Sequence, residues 1–133
     1  MATIEEITAE AKVARQNLAD LETELQEEID EIRFRAFKEG RPMTDAERAT
    51  RNDRRAQKSE AREAYVALTF MTLQRLNQSE EVKQLTQKIN EINQGLADDL
   101  DDLKKIKRYA DTAAKVADGL ANIATNIAGI VAP

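Results

Sequence analysis

Apolar residues recur along the first quarter of the chain at steps that alternate between three and four: Ile4, Ile7, Ala11, Ala14, Leu18, Leu21 and Leu25. Such spacing keeps one narrow apolar seam on a helix, as in a coiled coil. Beyond Leu25 the seam shifts to Ile29, Ile32 and Ala36, with Phe34 and Phe37 close by. Extra four-residue steps locally unwind a supercoil. The segment KEGRPMTDAER then interrupts the pattern. Gly40 can adopt the left-handed cap conformation, and Pro42 cannot continue a helix. Thr44 and Glu47 form a T-x-x-E capping box. The pattern therefore predicts helix 1 over residues 3–39 and a second helix starting at residue 45.

Where the second helix ends is less plain. Residues 77–81, NQSEE, offer caps at Asn77 and Ser79, while residues 93–99, NQGLADD, offer Gly95 as a stop and Asp98 as a cap. Val82, Leu85, Ile89, Ile92, Leu96, Leu103, Ile106 and Ala110 keep heptad phase through both, broken only at Asp99. The run AYVALTFMTL, residues 64–73, is apolar on nearly every side and needs two neighbouring helices to cover it. A turn at Gly95 would supply them, placing Val66, Leu68, Phe70, Met71 and Leu73 between Ile7, Ala11, Ala14 and Leu18 of helix 1 and Val116, Leu120, Ile123 and Ile127 of a third helix. The expectation is an all-α, elongated antiparallel three-helix bundle or coiled coil in one domain. Its long central helix would span residues 45–94 and its last helix residues 98–131. At 1.5 Å per residue the central helix would be about 75 Å long, leaving two-helix arms at both ends. Such arms bury little surface, which favours self-association or a covering partner.

Composition narrows the chemistry. In 133 residues there is no His and no Cys, which removes thiol nucleophiles, Ser-His and Cys-His pairs and the usual zinc sites. No strand pattern precedes a Gly-rich phosphate loop. No carboxylate pair converges on an evident pocket, so no enzyme and no cofactor are expected. The net charge of −5 disfavours a general nucleic-acid or anionic-membrane binder. No run of about 18 apolar residues suggests a membrane span. The acidic start, MATIEEITAEAK, does not resemble a secretory leader, so a cytoplasmic protein is expected, with leaderless export open.

Three features stand out from this background. Arg48, Arg51, Arg55, Lys58 and Arg62 share one face of helix 2, with Arg54 and Arg41 adding to it. Arg suits bidentate contact with oxyanions, which points to an acidic protein partner, or less readily to nucleic acid because stacking aromatics are missing from the stripe. The bland alternative is pairing with helix 1, whose residues 5–31 hold ten acids and two bases, Glu22, Glu24, Glu27, Glu28 and Glu31 being at the right height. The second feature is DDLDDL, residues 98–103, which lacks EF-hand spacing and reads as the N-terminal cap of helix 3. The third is the Ala-rich C-terminal helix. Its face of Val116, Leu120, Ile123, Ile127 and Val131 reads first as packing surface, and alternatively as a membrane-active element of the pore-forming type.

Together these features indicate a non-catalytic helical interaction or scaffold protein that self-associates and works through surface contacts with protein partners. The alternatives are membrane activity through the C-terminal helix and recognition of an acidic partner or nucleic acid through the Arg stripe.

Overall fold

The computed structural model describes residues 3–73 and 79–131. Its helices are α1 (Ile4–Lys38), α2 (Asp45–Leu73), α3 (Ser79–Lys104) and α4 (Ala110–Val131). They form an antiparallel bundle in which α1 packs on α2 and α4, while α3 packs on the same two. Among the described residues α1 and α3, and likewise α2 and α4, face each other only across the diagonal.

The first helical hairpin follows the sequence closely. Thr3 caps α1, its hydroxyl accepting from the Glu6 N–H at 3.1 Å. Gly40, at φ 63°, closes the other end. There the Arg41 N–H donates to Ala36 O and the Gly40 N–H to Phe37 O, the paired bonds of a Schellman motif. The capping box is formed in full: Glu47 N–H donates to Thr44 Oγ1 at 3.1 Å, and Thr44 N–H to Glu47 Oε1 at 2.9 Å.

Among the described residues four helices replace the three expected, and the turn at Gly95 is not there. Gly95 lies inside α3, and the chain has already reversed between Leu73 and Ser79; residues 74–78 themselves, including Asn77, lie outside the described residues. One Gly in a helix interior costs only about 1 kcal/mol, less than the packing of Ile89, Leu96, Leu100 and Leu103 on either side of it secures. The actual reversal to α4 is residues 105–109, KIKRY, which contains neither Gly nor Pro. Two 3₁₀-type bonds, Lys105 N–H to Asp102 O and Ile106 N–H to Leu103 O, tighten the end of α3, and Tyr109 N–H donates to Ile106 O. Tyr109 is fully buried and plugs that end of the core. The DDLDDL segment is therefore the C-terminal part of α3, not a cap. Leu100 and Leu103 face the core while Asp98, Asp101 and Asp102 face solvent.

The core joins all four helices. Ile7, Ala11, Ala14, Leu18, Leu21 and Leu25 of α1 meet Ala61, Ala64 and Leu68 of α2 and Val116, Leu120, Ile123 and Ile127 of α4. The all-round apolar run is only partly enclosed: Leu68 is buried but Val66 is 42% exposed, because α4 is diagonal to α2 and does not flank it. The side chains of Phe70, Met71 and Leu73 lie outside the described residues. Small side chains let α1 and α4 approach closely, so that a Cβ added at Gly119 would sit 3.4 Å from Ala14 Cβ.

Polar ties set the register of α4 on α1. Thr112 donates to Glu24, Tyr109 to Glu28, Arg108 to Glu31, and Asn126 to Glu10. The last tie before the α3–α4 turn is at Glu31, yet α1 runs on to Lys38 and α2 begins at Asp45. The first hairpin thus projects beyond the second by about 10–15 Å at 1.5 Å per residue. Among the described residues one arm projects, at the α1–α2 turn, where two are expected from the sequence.

Candidate interaction surface

The projecting arm concentrates charge of one sign. Residues 32–55 hold eight basic and four acidic side chains, a net +4. The rest of the chain holds twelve basic and twenty-one acidic residues, a net −9, which together give −5. Inside the arm, Ile32 and Ala36 are buried against α2. Much of the remaining contact is ionic. Arg41 donates to both Glu39 and Glu47, and Arg35 stands 3.8 Å from Glu47. Arg41, followed by the Thr44 N–H, holds the Glu47 carboxylate down to about 2.

The Arg stripe is divided by this geometry. Arg54 donates to Glu28 of α1 and to Gln57, and its guanidinium lies 5.5 Å from the Tyr109 ring centroid. Lys58 donates to Gln26 at 2.7 Å, while Arg62 stands 3.8 Å from Glu22 and 4.9 Å from the Tyr65 ring centroid. These three are committed to α1 and to rings. Arg48 is tied within its own helix end, to Asp45 and the Met43 carbonyl. Arg51 reaches only the neighbouring Asn52, at 3.3–3.4 Å, and Arg55 forms no hydrogen bond or ion pair among the described residues. Of the helix 1 acids expected to answer the stripe, Glu22 and Glu28 do so. Glu24, Glu27 and Glu31 turn to Thr112 and Arg108 of the α3–α4 side instead. Arg108 holds the Glu31 carboxylate below its usual range.

Two aromatic side chains that sequence periodicity left beside the seam now stand out. Phe34 is 64% exposed and Phe37 is 81% exposed. On a wheel of 100° per residue they lie roughly 60° apart and point away from the Ile29, Ile32 and Ala36 stripe. The same wheel puts Arg48, Arg51 and Arg55 on the matching outer side of α2. The two rings and the uncommitted arginines therefore share the outer face of the hairpin. The interleaved segment RFRAFK carried that information, since neither Phe keeps heptad phase.

The face expected for the C-terminal helix lies inside. Val116, Leu120, Ile123 and Ile127 are buried in the bundle core, and the side chain of Val131 is outside the described residues. No helix among the described residues is long and apolar enough to cross a membrane.

A second polar feature lies on the opposite seam, between α2 and α3. Glu60, Glu63, Lys88, Glu91, Ile92, Gly95 and Leu96 line a cavity of about 220 Å³. The neighbouring Asp99 carboxyl first, through a shared hydrogen bond, then burial and the charges of Asp99 and Glu63, raise Glu60 to about 7. Its Oε2 is buried without a partner. No protein-family model, curated protein or solved structure matches this chain.

Proposed function

We propose that this chain is a non-catalytic helical interaction protein whose working surface is the outer face of the α1–α2 hairpin, and that this face meets an anionic partner. The observation that carries the reading is the exposure of Phe34 and Phe37 beside cations that the fold leaves unengaged. Exposed aromatic and Arg side chains are the types that dominate interface energetics. A symmetric homodimer through this face would oppose like charges, so self-association, if it accompanies this activity, uses another face. Membrane activity by release of α4 is the weaker reading, because its apolar face closes the core against α1 and α3.

Labelled poly-L-glutamate is a suitable soluble probe of the surface. Binding should be salt-sensitive and should disappear in Arg51→Glu/Arg55→Glu with little change in melting temperature, since neither side chain is tied to another helix. Equal binding of the wild type and the double variant would remove the reading.

A further inference from the structure

Resting on the reading that the outer hairpin face meets an anionic partner, we propose that this partner is an anionic lipid surface, entered by Phe34 and Phe37 at the end of the projecting arm. Four observations lead there. First, α1 ends in Arg33-Phe34-Arg35-Ala36-Phe37-Lys38, and its helical phase sets Arg33 and Lys38 on either side of the two rings. Aromatic side chains flanked by cations match the boundary between headgroup phosphates and acyl chains. Second, three acids of the arm, Glu39, Asp45 and Glu47, are occupied by Arg41 and Arg48. Arg33, Lys38 and Arg55 form no hydrogen bond or ion pair among the described residues. Third, charge separation orients the molecule, since an anionic surface attracts the +4 arm and repels the −9 remainder. Fourth, the arm stands clear of the α3–α4 turn, so the rings enter without opening the core.

A protein partner would have to supply a pocket for each ring, whereas a fluid apolar phase accepts both without a matched shape. The described cavities do not bear on this face. One lies between α2 and α3, and another, lined by Asn93, Ala97, Leu100, Asp101, Lys104, Ala117, Leu120 and Ala121, lies between α3 and α4. The contact is peripheral, with the bundle intact.

The full chain would be co-sedimented with phosphatidylcholine vesicles and with phosphatidylcholine–phosphatidylserine vesicles, at low and physiological salt, with labelled poly-L-glutamate as the soluble polyanion. The chain has no Trp, so Phe37→Trp gives a single emission reporter on the surface itself. The expected result is binding to the phosphatidylserine vesicles only, weakened by salt, with a blue shift of the emission from that reporter. Phe34→Ser/Phe37→Ser should lower vesicle affinity by about tenfold or more while leaving the circular dichroism and melting curve unchanged. No sedimentation with phosphatidylserine vesicles at low salt would overturn the proposal. So would equal binding of the double Ser variant, or a reporter emission that does not move on binding. Binding to poly-L-glutamate without binding to vesicles would overturn the lipid assignment and leave the anionic-partner reading standing, while failure of both probes would remove both.

Discussion

The four-helix waist and the two-helix arm are built from the same two helices, α1 and α2, but on different physics. In the waist the contact is Ile, Leu, Val and Ala, closed at one end by Tyr109. In the arm only Ile32 and Ala36 of α1 are buried, and much of the remaining contact between α1 and α2 is the Arg41–Glu47–Arg35 cluster, with the Arg48–Asp45 pair held inside the start of α2. Apolar burial is not subject to charge screening, whereas exposed ion pairs contribute little and are screened. The waist thus carries the stability and the arm carries the excess of positive charge, which frees the arm to present groups that a core could not tolerate.

The largest effect is expected in the waist. Leu120→Ala should cost about 2–5 kcal/mol in denaturant unfolding, with little dependence on salt. A loss as small as that of a surface change would mean the described core is not the stabilising one. Thr44→Ala removes the N-cap of α2 and should cost about 1 kcal/mol, confined to the arm. Hydrogen exchange should show faster amides around residues 44–48 with the waist protected as before, and uniform loss of protection would dissolve the distinction between the regions. Gly95→Ala should stabilise the waist by about 0.5–1 kcal/mol, because a Cβ there meets nothing within 4 Å and the helix continues through it. If Gly95→Ala destabilises the protein instead, the uninterrupted α3 is wrong.

The smallest effect concerns pH. Glu60 is raised from 4.5 to about 7, so between those values the folded state binds more protons than the unfolded chain. Its contribution therefore falls as pH rises from about 4.5 through 7, and the penalty is complete above that range. Glu47, held near 2, acts the other way, contributing above 4.5 and losing its contribution as pH falls toward 2. Unfolding curves of Glu60→Gln across pH 4–8 should lose the upper slope while keeping the acid limb. An unchanged upper slope would exclude the carboxyl pair as its source.

The arm was legible in the sequence and the second half of the waist was not. Every residue of the α1 seam from Ile7 to Ala36 is buried as its spacing implied, and Gly40 and the Thr44–Glu47 box do what their chemistry requires. These are local devices, fixed by residues within one turn of each other. The α3–α4 turn has no such device: its heptad phase runs on through Leu103, Ile106 and Ala110, and no Gly or Pro marks it. What holds it is Tyr109, whose hydroxyl donates to Glu28, a residue remote in sequence. A second trace was the change from DDLDD to KKIKR, since cations suit a helix C-terminus. The all-round apolar run pulled the expected turn to Gly95, because a three-helix sandwich would have covered it on both sides. The candidate surface was half legible: the stripe was visible, but which arginines stay free depended on Glu22, Glu28 and Gln26 across the hairpin.

The ties between α1 and α4 also fix an order of events. Arg54 finds Glu28 across 26 residues of chain, whereas Arg108 finds Glu31 across 77 and Asn126 finds Glu10 across 116. Closing a longer loop costs more entropy before any contact repays it. The local hairpins, α1–α2 among them, are then expected to form early, and the meeting of the first and last helices to be the late step that converts two hairpins into a closed ring. Ala14→Gly, which loosens the α1–α4 crossing, should speed unfolding and leave the refolding rate nearly unchanged. Ala61→Gly, inside the early hairpin, should slow refolding, and equal partition of both changes between the two limbs of the chevron would refute that order.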